Sequence, residues 1–168
     1  MLKRSVLKQV LVLLICATVA VSLHGQSGPD PALRVRARDA GRVVVARILD
    51  VRGQFESNRF GDQLIVSHAV LEVLETLKGA PVPVLNLAIE GGTVGDLTLR
   101  VSDLPSLEEG ERAVFFLDAI ASGEHVPHGR GHGVALKLTA DDRVAGTQLS
   151  LSDVRDQVAE AVRGRGGR

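Results

Sequence analysis

The chain has 168 residues, with 20 basic and 20 acidic side chains and no formal net charge. That length fits one domain plus a leader, and the charge balance argues against a polyanion binder, which carries a basic face and a high pI. A single cysteine excludes any intrachain disulfide framework, so the fold rests on its apolar core.

The amino terminus reads as an export signal. Lys3, Arg4 and Lys8 form a positive region, Val10 to Val21 is apolar apart from Thr18, and Ala20-Val21-Ser22 is a small-x-small cleavage site. The apolar run is shorter than the ~20 residues that span a bilayer. The expectation is therefore a signal peptide over 1–22 and a secreted or periplasmic product with no membrane span after cleavage. Retention as an anchor is the competing reading. Cys16 lies inside the signal, and Ile15 before it departs from a lipoprotein box, so a lipid anchor is not expected. Without Lys3, Arg4 and Lys8 the mature chain has 17 basic and 20 acidic residues, a formal charge of −3.

Residues 23–40 form a leader in which Asp30-Pro31 reads as an N-cap and first helical position and Gly41 as the residue past the end. An extended arm competes, because Arg34, Arg36 and Arg38 alternate with Val35 and Ala37. The domain proper spans 41–163. Arg42 to Val51 is rich in β-branched residues and reads as a strand. Gln54 to Asp62 reads as a polar connection. Leu64 to Leu77 is a long strand, apolar on both faces, as expected of a coiled or bulged strand that changes partner around a small barrel. Val84 to Ile89 is a third strand, followed by a glycine loop, Gly91 to Gly95, and an alternating strand, Leu97 to Val101.

Leu104 to Leu107 reads as a turn whose leucines plug one end of the core. The acidic turn Glu108-Glu109-Gly110-Glu111 leads into Ala113 to Ala119, an unbroken apolar run typical of a strand covered on both sides. Ile120 to Gly131 reads as a loop, Gly133 to Thr139 as a strand, and Arg143 to Leu149 as its returning partner. Ser150 and Asp153 have capping-box spacing, and Leu151, Val154, Val158, Ala161 and Val162 trace one face of a helix over 151–163 that Gly164 can close. Residues 164–168 are a flexible basic tail. The fold class is mainly β: a small Greek-key barrel of the oligonucleotide/oligosaccharide-binding (OB) type, with a carboxy-terminal α-helix and a preceding signal peptide.

Val43-Val44-Val45-Ala46-Arg47-Ile48, Leu71-Glu72-Val73-Leu74-Glu75-Thr76-Leu77-Lys78-Gly79, Glu90-Gly91-Gly92, and Gly110-Glu111 ahead of Val114-Phe115-Phe116-Leu117 resemble bacterial exported domains related to the netrin-like module. Tissue inhibitors of metalloproteinases share that module's fold. The resemblance runs from roughly residue 40 to 160 and rests on turns and core positions. It implies an OB-type barrel and a protein partner, with a secreted protease as one candidate. It does not carry over the inhibitors' zinc-ligating amino-terminal cysteine, since no cysteine follows residue 22.

Candidate chemistry is sparse. His125, His128 and His132 concentrate metal-capable side chains in one glycine-rich stretch, which supports a periplasmic metal-binding protein as the alternative function. His68 reads as a base or, more simply, as a half-buried histidine hydrogen-bonded across the barrel. Gly129-x-Gly131-x-Gly133 reads as a turn rather than a phosphate cradle. No nucleophile elbow, zincin helix or Cys-x-x-Cys pair is present, so an enzyme is not expected, and no cofactor is assigned. Nucleic acid is not expected either: Tyr and Trp are absent and stacking rings are few. The remaining expectation is a non-enzymatic module that binds an exported protein through loops at one barrel end, with Phe55, Phe60, Gly91, Gly92 and Thr93 in the contact surface.

Overall fold

A computed structural model describes residues 30–58 and 60–164. Residues 1–29, which include the stretch expected to be a signal peptide, Arg59 and residues 165–168 lie outside them. Nine residues, Pro31–Asp39, form α1, with the Asp30 carboxylate accepting from the Ala32 and Leu33 amides as the N-cap. The extended-arm reading is thereby set aside. At the other end Lys78 Nζ donates to the carbonyls of Ala37, Arg38 and Ala40, placing a cation on the negative end of the helix.

The strands are β1 (Arg42–Ser57), β2 (Gln63–Lys78), β3 (Val84–Glu90), β4 (Gly92–Val94), β5 (Leu97–Leu99), β6 (Arg112–Ala119), β7 (His125–Pro127) and β8 (Ala135–Leu138). Six of them form one sheet in the order β1-β2-β3-β7-β6-β8, with β6 also pairing with β1. The order β6-β1-β2-β3 is a Greek key, three consecutive antiparallel strands plus a fourth that returns beside the first. The ring back to β1 passes through a single parallel pair, Leu87 with His125. The result is a barrel-like sheet, not a fully closed barrel, which matches the partly open character of the OB type.

Alternation along the strands builds two cores. Val44, Ala46, Ile48, Ala69, Leu71, Leu87, Phe115 and Leu117 fill the inside of the sheet. Their neighbours Val43, Val45, Val114 and Phe116 face outward and are covered by Leu33 and Ala37 of α1 and by Leu151, Val154 and Val158 of α2 (Leu151–Arg163). The unbroken run of β6 thus reflects one face on the barrel interior and the other on a helical pair. Asp30 N donates to Gln157 Oε1 at 2.8 Å, and Arg34 pairs with Glu160, so the two helices are fastened to each other as well as to the sheet. The capping box of α2 is present with both Ser150 and Asp153 engaged.

The long strands bend by bulges. Ile48 faces Leu71 and Asp50 faces Val70, which leaves Leu49 unmatched; Val45 faces Glu75 and Ala46 faces Val73, which leaves Leu74 unmatched. Both bulged leucines are exposed. The local kink turns these side chains away from the core and lets one ribbon pair with two different neighbours.

Four expectations are corrected. Strand β1 continues to Ser57, so Phe55 stands in a strand and the connection to β2 is only a tight turn around Asn58, whose side chain accepts from the Phe60 and Asp62 amides. The Leu97–Val101 strand stops at Leu99 and pairs only with β4; Leu97 is exposed, because this hairpin stands off the core instead of lining it. The stretch Ile120 to Gly131 is not all loop: His125–Pro127 is β7, three residues that pair with β6 and, through Leu87 and His125 alone, with β3. Arg143 to Leu149 does not form a strand; only the Leu138–Val144 and Arg143–Ser150 bridges join it to its surroundings.

Candidate functional site

Past the pair Gln54 and Val66, the β3 and β6 ladders no longer flank β1 and β2, which run on as a two-stranded ladder, an arm, to Ser57 and Gln63. Phe55 is 49% exposed within the arm and Phe60 74% exposed at its turn. Exposing two of four phenylalanines costs hydrophobic burial that a purely structural hairpin would recover.

The β4–β5 hairpin lies across the base of this arm, and glycine makes the crossing possible. A Cβ on Gly53 would sit 2.2 Å from Thr93 O, and one on Gly92 would sit 2.1 Å from Ser67 Oγ. Gly92 also holds φ at 130°, a conformation that side chains other than hydrogen resist. Ser67 Oγ donates to Gly91 O at 2.7 Å, buried beneath the crossing. Gly91, Gly92 and Thr93 are thus where two hairpins meet. Gly91 is buried, whereas Thr93 is exposed, with its hydroxyl 2.9 Å from that of Thr98 across the hairpin. Because Gly53 and Phe55 share one strand face, Phe55 projects on the side that carries β4–β5, whose tip exposes Leu97 (60%). The sequence pattern made Leu97 the first residue of an alternating strand, and the strand that carries it ends at Leu99.

Beside the hairpin is a cleft of ≈ 420 Å³, lined by Ser67, Gly92, Thr93, Thr98, Arg100 and the Leu104–Glu108 segment among others. Its far wall is tied down by Arg130, whose Nε and Nη2 donate to the Asp103 carboxylate at 2.6 and 3.0 Å and whose Nη1 reaches Glu90 at 3.1 Å. These bonds hold the Arg130 guanidinium firmly protonated. Leu107 packs against the barrel interior, while Leu104 is half-buried on the cleft wall.

The histidines are distributed rather than gathered. His125 is 8% exposed in β7, with Nδ1 buried and unpartnered, and burial together with the nearby Arg42 charge lowers its pKa despite a backbone hydrogen bond at Asn86. His128 Nδ1 is 2.7 Å from Asp118 Oδ2. Partial burial alone would raise the Asp118 pKa, but the Gly41 amide and His128 together bring it below the usual carboxylate value. The His132 side chain lies outside what the structure describes. Among the described residues no group of three or more His, Cys, Asp or Glu is placed to hold a metal ion. The Gly129–Gly133 stretch leads into a 3₁₀ turn of three residues, His132–Val134, too short to present an anion site.

Among the described histidine side chains, His68 has the most connections. Its ring lies between two carboxylates, Nε2 2.6 Å from Glu56 Oε1 and Nδ1 3.0 Å from Glu124 Oε1, with the side chain 26% exposed. Its neighbours Ser67 and Ala69 are buried, so it projects from the outer face of β2 and its hydrogen bonds run over the sheet, not across the interior. Nothing in linear spacing announced this cluster, because its three members are separated by a hairpin and most of the domain.

No protein-family model matches the chain, and no curated protein matches it. Among the described residues no helix is long and apolar enough to cross a membrane.

Proposed function

We propose that the chain is an exported, non-enzymatic protein-interaction module whose partner is another exported protein, gripped by the end of the barrel that carries the β1–β2 arm and the β4–β5 hairpin. The observation that carries this reading is the pair of exposed rings, Phe55 and Phe60, on an arm that continues its ladder beyond the sheet. Aromatic side chains held on a rigid element supply large contact area at small ordering cost. Export is supported by the basic, apolar and small-x-small pattern of residues 1–22. The netrin-like resemblance makes a secreted protease the first partner class to try. A non-enzymatic role is the reading favoured by the sequence, which holds no nucleophile elbow, zincin helix or Cys-x-x-Cys pair.

The test is affinity capture from the exported fraction of the native organism, run in parallel with wild-type protein and the Phe55→Ala/Phe60→Ala double variant. A protein retained by the wild type and lost with the double variant, at unchanged thermal stability, is the expected result. Equal retention by both would remove the arm from the interface.

A further inference from the structure

Glu56 comes from the arm, His68 from the middle of β2, and Glu124 from the turn between β6 and β7, so the imidazole joins three segments distant in sequence. Glu124 is itself steadied by the Ser122 hydroxyl, 3.3 Å from its second oxygen. A neutral imidazole has one N–H and one lone pair, whereas two ionised carboxylates on its two nitrogens require two N–H donors. Only the imidazolium satisfies both. On loss of the proton one nitrogen turns a lone pair toward a carboxylate oxygen, and that contact changes from charge-assisted hydrogen bond to repulsion.

The charged groups on the neighbouring elements do not compete for the ring. Arg52, opposite His68 in the β1 ladder, pairs with Asp50 at 2.8 Å. On β3 the residue opposite is Ala88, and Glu90 beyond it is held by Arg130.

We propose that His68 is a proton-operated pin: charged, it fastens the β1–β2 arm, through Glu56, to the β6–β7 turn, and neutral, it releases one carboxylate and loosens the arm that carries Phe55 and Phe60. Partial burial by itself lowers the ring's pKa, but the hydrogen bonds and charges of Glu56 and Glu124 outweigh it and leave it above the ordinary histidine value. The pin is therefore closed below the ordinary histidine range and opens as pH rises through the raised value. The regulatory meaning rests on the arm being the binding element; the pin itself does not.

The experiment reads the pin with no partner present. Amide hydrogen exchange is followed for ladder residues 53–57 and 63–67 from about pH 6 to about pH 9, each rate normalised to its intrinsic value, in the wild type, His68→Gln and Glu124→Gln. In the wild type, protection of the arm falls roughly three- to tenfold as pH rises, the range of a partly exposed charge-assisted contact, while β6 amides keep theirs. In both variants the arm is loose throughout and the pH dependence is gone. Arm protection that is flat with pH in the wild type, or that falls equally in His68→Gln, overturns the pin. Either result leaves the capture experiment with the phenylalanine variant to decide the binding role separately.

Discussion

The crossing of the two hairpins can be broken and partly mended by two substitutions. Gly92→Ala places a methyl 2.1 Å from Ser67 Oγ at a backbone φ of 130°. Forcing an extra carbon into such a contact costs ~1–3 kcal/mol, and the backbone conformation costs ~1–3 kcal/mol more, so the single variant should lose ~2–6 kcal/mol. Ser67→Ala removes the hydroxyl that donates to Gly91 O across 2.7 Å, at a cost of about 1 kcal/mol. It also removes the obstacle: the next nearest atom to the new methyl is Ser67 Cβ at 3.4 Å, ordinary contact distance. In the double variant the steric part is relieved and only the backbone strain and the lost hydrogen bond remain. The two changes should therefore couple by ~1–3 kcal/mol in the stabilising direction. Urea unfolding of the four proteins, compared at constant m-value, measures this coupling. Strict additivity would show that Gly92 does not rest on Ser67 and that the account of the crossing is wrong.

Phe60→Ala should shift the melting temperature by less than about 2 °C, whereas Phe115→Ala and Phe116→Ala, each at most 1% exposed, should each cost ~3–5 kcal/mol by thermal unfolding. A large loss from the Phe60 change would place that ring in the core. Asp118, with its pKa held down, contributes stability that is complete above the unfolded aspartate value and is lost as pH falls through its lowered folded value. Asp118→Asn should therefore flatten the acid limb of the stability–pH curve, and an unchanged limb would refute the assignment. His68 has the opposite sign: its raised pKa gives stability that is complete below the ordinary histidine value and fades as pH rises through the folded one. His68→Gln should thus narrow its deficit relative to wild type as pH increases. Ser150→Ala should cost about 1 kcal/mol through the capping box, read as a change in denaturation midpoint.

How much of this was legible in the sequence depended on whether the signal was local. The α2 helix declared itself through the Ser150–Asp153 box and the spacing of Leu151, Val154 and Val158. The two-faced pattern of β2 implied a bulged strand, and the β1–β2 ladder skips Leu74 and Leu77 of β2 and Leu49 of β1. By contrast β7 is only three residues long and contains Pro127, so nothing in its composition outweighs the surrounding glycines; its existence depends on β3 and β6 lying on either side. Leu97 alternates as a buried strand residue should, yet its hairpin has no partner but itself. Exposure of Phe55 could be suspected from its neighbours, but its place inside β1 follows from a ladder that extends past the barrel. The Glu56–His68–Glu124 bracket was invisible for the same reason: tertiary pairing, not spacing, assembles it.

On the proposed function, the arm and the adjoining hairpin are the surface that another protein meets. A photo-crosslinking side chain placed in turn at Phe60, Leu97 and Val162 tests it residue by residue, since Val162 is exposed on α2, in the helical layer that packs on the other core. Cross-linking of one exported protein from positions 60 and 97 but not 162 is the predicted result. Capture from position 162 alone, with 60 and 97 silent, would contradict the account.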